Sequence, residues 1–479
     1  MRAGRGDAAE IRQKGPRVLV DLRPLRRGEF RRLWAAAVVT SLGAQLTAVA
    51  VPMEIYALTG SSAYVGLAGL VGLAPMAAGA LWGGAFADLR DRRRVLLATT
   101  TGIGVTSMLL WAQAWAQARS VAVLLVLVGL QQALFGANTA VSRAVVPRLV
   151  PPGLLPAANA LQSMVVLSAG IAGPLLAGWL LPAVGSRTLY LADAAAVCAT
   201  VWAVWRLPSL PPARTTGKNR RVVGVRQIAD GFRLVARRQV LLVVYLCDFA
   251  ALFLGLPTAL FPQLAGETFR PSDIGVLYAA LSAGGVLAAL FSGTFTRVGR
   301  HGIAVAISVG LWGLAIAGFG LTDSLVPAAG WLLLAGGALL ALGVFRRTVL
   351  QTAVTDDMRG RLQAIDTVVA AGGPRLGDLA HGTAGAAFGT SWTITGGGLL
   401  TVVTALVLLL LFPEFRRHRA PGDSSVPGSR SPPERSGRPH GWRAQQPSRP
   451  SPADGNTVTP AGALRIRRPS WVTSTRASC

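Results

Sequence analysis

The chain has 479 residues, 52% of them hydrophobic and 14% charged, with a mean hydropathy of +0.48 and a formal net charge of +26. Soluble chains carry roughly 25% charged residues, so this composition excludes a water-soluble globular enzyme and a chain disordered throughout. Three cysteines, Cys198, Cys247 and Cys479, exclude a disulfide scaffold.

Residues 1–33 are basic and polar, with no apolar run of the kind that makes a cleavable signal peptide. From there, segments long enough to cross a bilayer, about 20 apolar residues each, follow in order: 34–58, 65–86, 95–116, 121–143, 157–181, 188–206, 239–262, 273–294, 302–322, 326–347, 362–388 and 392–412. Between the sixth and seventh lies a Pro-rich, then basic linker, 207–238. Within it Ile228, Phe232, Leu234 and Val235 recur at near-helical spacing and predict a short interfacial helix over Val225–Arg238. Residues 413–479 are rich in Pro, Arg, Ser and Gly and are expected to be a disordered tail.

The loop charges alternate with this count. Loops after odd-numbered spans hold only Arg119, Arg187 and Arg270. Loops after even-numbered spans hold Arg90, Arg92, Arg93 and Arg94, then Arg143 and Arg148, the linker, Arg297 and Arg300, and Arg346, Arg347, Arg359 and Arg361. Excess positive charge marks the cytoplasmic side, so both termini are expected inside. The +26 charge therefore reads as topology, and no nucleic-acid partner is expected. The sequence also repeats. Gly66 aligns with Gly275 and Gly84 with Gly293, both at an offset of 209, and Ala133–Val146 aligns with Ala341–Val354. The expected fold class is all-α integral membrane: twelve helices in two parallel six-helix pseudo-repeats, 34–206 and 239–412, with a substrate site at their interface.

Two segments carry a family resemblance. Gly84-Ala85-Phe86-Ala87-Asp88-Leu89-Arg90-Asp91-Arg92-Arg93 resembles the loop 2–3 signature of the major facilitator superfamily, matching at Gly84, Asp88, Arg92 and Arg93. It departs at Leu89, where the family has a basic residue, and at Asp91, often glycine. Gly170-Ile171-Ala172-Gly173-Pro174-Leu175-Leu176-Ala177-Gly178 is similar to the fifth-helix motif of the superfamily's exporters, with Gly170, Gly173, Pro174 and Gly178 as its marks. Over roughly residues 30–412 the chain resembles the exporter branch that handles catecholate siderophores, a branch that also holds exporters of macrolides and other natural products. The resemblance implies the major facilitator fold, a loop 2–3 latch between the halves and export by proton antiport. The plainer alternatives are a topogenic charge cluster at 84–94 and ordinary small-residue packing at 170–178.

Ionisable residues at bilayer depth are functional candidates. Asp248 lies on the order of 13 Å into its span, near mid-membrane, and is the first candidate for proton coupling; Asp378, deep in the eleventh span, and Asp366, nearer the cytoplasmic end, are the other candidates. The alternative for Asp248 is a structural hydrogen bond to another helix. Arg375 and Asp378 share a helix face and either pair with each other or meet an anionic substrate. Gln45 and Gln131 are candidate cavity residues, or else join helices. Glu54 and Asp193 fall near the outer face, Asp193 with a structural role. No phosphate-binding loop and no metal-ligand spacing occurs in the sequence, so no cofactor or metal is expected. The expected partners are a small-molecule substrate, protons and the lipid bilayer, and the expected state is a monomer.

Overall fold

The computed structural model describes residues 21–211, 225–352 and 356–417. The expectations for 1–20, 212–224 and 418–479, the disordered tail among them, lie outside the described residues. Helices α1 (Gly28–Thr59), α2 (Ser62–Leu89), α3 (Arg92–Trp115) and α4 (Val121–Leu149) cover the first four expected spans. Local chemistry sets their ends. Gly60 closes α1 in a left-handed conformation at φ 63°, and the Ser61 side chain caps α2 by accepting the Ala63 N–H. Asp91 and Ser120 cap α3 and α4 in the same way.

Helix α5 (Leu155–Trp205) covers the fifth and sixth spans as 51 residues interrupted at Gly185, whose φ of 73° is non-helical. The chain doubles back there. The Trp34 indole donates to the Leu161 carbonyl and Gly173 lies against Gln45, yet beyond the bend Thr47 bonds Asp193 and Thr40 bonds the Ala196 carbonyl. Both arms thus run along α1.

The second half opens with α6 (Val225–Arg237), the expected linker helix, which packs on the helix that follows it and on the later helix Asp356–Phe388. Helix α7 (Gln239–Leu254) stops at Gly255 and Pro257, and after a single tight turn α8 (Phe261–Glu267) continues. The helix is thus interrupted within the expected span 239–262, because proline removes a backbone donor and glycine releases the helix, but Gln239–Glu267 as a whole remains long and apolar enough to cross a membrane. Then come α9 (Ile274–Leu290), α10 (His301–Gly320), α11 (Leu325–Thr352), α12 (Asp356–Phe388), α13 (Thr390–Leu411) and the short α14 (Pro413–Arg417).

Among the described residues, ten helical segments are long and apolar enough to cross a membrane. One of them runs through Gly185 and so contains two of the expected spans, while α12, carrying Asp366, Arg375, Asp378 and His381, is too polar to qualify despite its 33 residues. Within the first half α1 packs on α5, α2 on α4, and α3 on both α4 and α5; within the second, α9 packs on α11, and α10 on α11 and α13. The halves join through α2 against α12 and α5 against α9. A core including Leu46, Ile55, Tyr190, Phe261, Trp312 and Leu342 continues across them.

Candidate functional site

The joining contacts lie toward the end that holds Ser62. There Ser62 Oγ donates to Gln263 Oε1 at 2.7 Å, and Gly66 is seated on the backbone of Asp378 and Leu379. Gly84 lies about five turns further along the same face of α2. A Cβ there would meet nothing within 4 Å. Among the described residues, the face that touches α12 at Gly66 is open at Gly84.

At the arginine-rich end of α2 sits the loop 2–3 motif. Arg92 ties three elements together: its Nε donates to the Ala87 carbonyl (3.3 Å), its Nη1 donates to the Ala144 carbonyl (3.1 Å), and its Nη2 lies 3.9 Å from Asp88 Oδ1. Arg93 donates to the Trp205 carbonyl. The Asp88 side chain is 62% exposed. The close helix contact belongs to Gly83, on Ala137 of α4, and not to Gly84. Asp91, a departure from the family pattern, is the best-connected member. It accepts the Arg93 N–H (2.9 Å), the Leu210 N–H (3.0 Å) and the Ser209 hydroxyl (2.6 Å), fastening the start of the linker to α3. Burial alone would push its carboxyl up, but these hydrogen bonds and nearby Arg94 together hold it below the usual carboxylate range.

The fifth-helix motif faces two ways. Gly173 packs on Gln45 of α1, while Gly170 and the Pro174 carbonyl face α9 at Ser282 and Gly275, and Gly178 meets Gly275 and the Ser272 carbonyl in the turn before α9. Three of the four marks of this motif thus build the second seam between the halves, while Gly173 packs within the first half.

Asp248 of α7 is 4% exposed and forms an ion pair with Arg346 of α11, whose other nitrogen, Nη2, lies 3.1 Å from Asp366 Oδ1 of α12. The structure therefore brings two of the three coupling candidates onto one guanidinium. Sequence reasoning missed Arg346, counting it among inward loop charges. It lies inside α11 and is 6% exposed. A signal was present: a buried carboxylate needs a cation, and an arginine pair closing an apolar run supplied one. Among the described residues two acids face one base in this cluster, and Arg346 Nε has no hydrogen-bond partner.

Asp378 lies apart from that cluster. It accepts the Thr258 hydroxyl at 2.6 Å, and its Oδ2 is 3.8 Å from Arg375 Nη1. His381 bridges the Gly377 and Leu254 carbonyls within the same layer. In the first half Asp193 is buried and accepts the Thr47 and Ser107 hydroxyls at 2.9 and 2.8 Å, and Gln131 Nε2 donates to Ser107 Oγ at 3.2 Å. Glu54 accepts from Gln113 and Tyr190 at 2.8 and 2.7 Å. Gln45, against Gly173, is not joined to Gln131 by any hydrogen bond shown. Among the described residues no group of three or more His, Cys, Asp or Glu is placed to hold a metal.

This is a transporter architecture: a multi-pass, helical membrane chain with two halves joined along two glycine-lined seams and charged clusters buried between helices. The chain belongs to the transmembrane secretion effector family of the major facilitator superfamily, whose model matches residues 20–427. It is 29% identical over 400 residues to an enterobactin exporter, EntS, of Shigella boydii serotype 18, covering 81% of this chain and 93% of that one. The Citrobacter koseri enterobactin exporter is 28% identical over 398 residues, covering 82% and 94%. Among solved structures, a bacterial homologue of the human lysosomal transporter Spinster superposes with a TM-score of 0.64 at 17% identity, covering 83% of this chain and 99% of that one. The nucleoside transporter NupG superposes with a TM-score of 0.61 at 15% identity, covering 81% and 99%. The protein is a major facilitator transporter and not an enzyme.

Proposed function

We propose that the protein exports a small organic molecule, a siderophore of the catecholate class, from the cytoplasm by proton antiport and alternating access. The observation that carries the substrate class is the likeness to enterobactin exporters, at 28–29% identity over some 400 residues. The cluster of Asp248, Arg346 and Asp366 supports the coupling. One guanidinium between two carboxylates leaves one negative charge over, and a proton taken up there would neutralise it. Asp378 is a second coupling position, and Arg375, Gln45 and Gln131 are substrate contacts. Twelve spans in two bundles, 34–206 and 239–412, with both termini cytoplasmic, fit the alternation of loop charges. On that orientation Asp88, Arg92 and Arg93 stand at the cytoplasmic end, where they act as the latch between the halves. The unit that works is a monomer in the cytoplasmic membrane.

The test is deletion of the gene in its own host under iron starvation. Iron-chelating compounds in medium and cell extract are then quantified by mass spectrometry, with and without complementation. A chelator that leaves the medium and accumulates in the cells identifies the substrate. Unchanged pools overturn the siderophore reading and leave an antibiotic or drug as the exported compound.

A further inference from the structure

A lateral groove of about 560 Å³ opens on the second half between α9 and α10, with α11 as its floor. It is not part of the passage between the halves. On α9, Gly275 and Ser282 face α5, whereas Gly284, Leu287, Ala288 and Phe291 line the groove. At 100° per residue the two sets stand on opposite sides of the helix. In a membrane this groove faces lipid, and its rim residues Phe291 and Ile307 are 67% and 63% exposed.

Only two lining residues are polar, Arg300 and Ser308. The Ser308 hydroxyl donates to the Ala304 carbonyl at 2.8 Å, so its proton is spent within its own helix. Arg300 stands at one end of the groove, immediately before α10, with Arg297 three residues earlier. From Arg300 to Leu311, the furthest lining residue on α10, the groove runs about 17 Å at a rise of about 1.5 Å per residue. Half of a roughly 30 Å hydrocarbon core is about 15 Å. The groove is therefore one leaflet deep, dry along its length and basic at its interfacial mouth. Charge points to the occupant. From residue 274 through 322 the sequence has no acidic side chain, while Arg297 and Arg300 both fall within it.

We infer that this groove seats one anionic phospholipid, with an acyl chain along α9–α11 and the headgroup phosphate at Arg300. Basic pockets between membrane helices hold anionic headgroups in this way. The site would bias α9, which also carries Gly275 at the seam between the halves, so a bound lipid would act on the moving interface from outside it.

The test uses the purified full-length chain in detergent, titrated with dioleoyl phosphatidylglycerol or dioleoyl phosphatidylcholine, with bound lipid counted by native mass spectrometry. The expected result is retention of phosphatidylglycerol over phosphatidylcholine, weakened roughly fivefold by Arg300→Gln. Arg300→Lys should keep the preference, and Ala341→Phe should fill the groove floor and lower occupancy. Equal retention of the two lipids overturns the proposal, as does phosphatidylglycerol binding that Arg300→Gln leaves unchanged. Glycerol 3-phosphate competing as well as the whole lipid would assign a free-phosphate site instead, and displacement by an exported compound would assign a substrate path. Arg300 is exposed, so its variants leave the core intact, and a matched elution profile from size exclusion verifies that.

Discussion

Gly66 of α2 and Gly275 of α9 occupy equivalent places in opposite halves. A Cβ on Gly66 would stand 2.3 Å from the Asp378 carbonyl on α12, and a Cβ on Gly275 would stand 2.3 Å from the Pro174 carbonyl on α5. The relation is reciprocal: Gly382 of α12 lies on the Ser62 carbonyl, and Gly178 of α5 on the Ser272 carbonyl. Two seams built alike join the halves, and each depends on backbones meeting without a side chain between them. Gly66→Ala must push α2 and α12 apart, at a cost typical of overpacking, about 1–3 kcal/mol. Because the clash exists only where the halves are closed, the variant should move the population about tenfold toward the conformation separated at this end. Spin labels at Ser61 and Thr383 should report a longer distance in the variant; an unchanged distance distribution sinks the argument.

This seam was half legible in the sequence. The offset that pairs Gly66 with Gly275 was visible as a repeat, because glycine cannot be exchanged where two backbones touch. The partners of each glycine were not visible, since periodicity describes one helix at a time. The same limit hid Arg346. Hydropathy saw an arginine beside Arg347 at the end of an apolar run and assigned both to a loop, whereas the reason for Arg346 is Asp248, 98 residues away. Asp91 looked like a flaw in the loop motif because its partners, Ser209 and Leu210, come more than a hundred residues later. The interruption after α7 was marked by Gly255 and Pro257, and the run is nonetheless apolar enough to read as one span.

The Asp248–Arg346 pair makes a folding prediction distinct from its transport role. Removing one partner of a buried ion pair strands the other charge, at about 3–5 kcal/mol. Arg346→Gln should therefore lower folded yield sharply, since it leaves Asp248 and Asp366 without their guanidinium. The double variant Arg346→Gln with Asp248→Asn should recover much of that yield. Fluorescence-detected size exclusion of membrane extracts measures it, and no recovery in the double variant would show that the pair is not the cause. For transport, Asp248→Asn should remove the dependence of export on a proton gradient. Export by the variant that an uncoupler still abolishes would move the coupling to Asp366 or Asp378.

Asp88 is expected to matter through the loop 2–3 latch. Its side chain is 62% exposed, so Asp88→Asn should leave folding and membrane insertion unchanged. A hydrogen bond to a charged group is worth about 1.5–3 kcal/mol, and loss of the carboxylate's share in the latch should lower export roughly tenfold at equal protein level. Export at the wild-type rate falsifies the latch.

Asp91 gives the pH dependence. Its carboxyl is held below its ordinary value by hydrogen bonds from Ser209, Leu210 and Arg93, against the opposing effect of burial. A carboxyl depressed in the folded state stabilises that state above its unfolded pKa of about 3.9, and the contribution disappears as pH falls through the lower, folded value. At neutral pH the contribution is complete. Asp91→Ala loses both the cap of α3 and the hold on the linker, which costs about 1 kcal/mol for the cap alone. The variant should therefore melt below the wild type at pH 7, and the gap should narrow only in acid, below about pH 4. The linker should also loosen, because Leu210 and Ser209 lose their anchor, and limited proteolysis between Arg206 and Pro211 should become faster in the variant at pH 7. A gap in melting temperature that stays constant from pH 7 down to pH 3 would assign the effect to packing and not to the charged carboxylate.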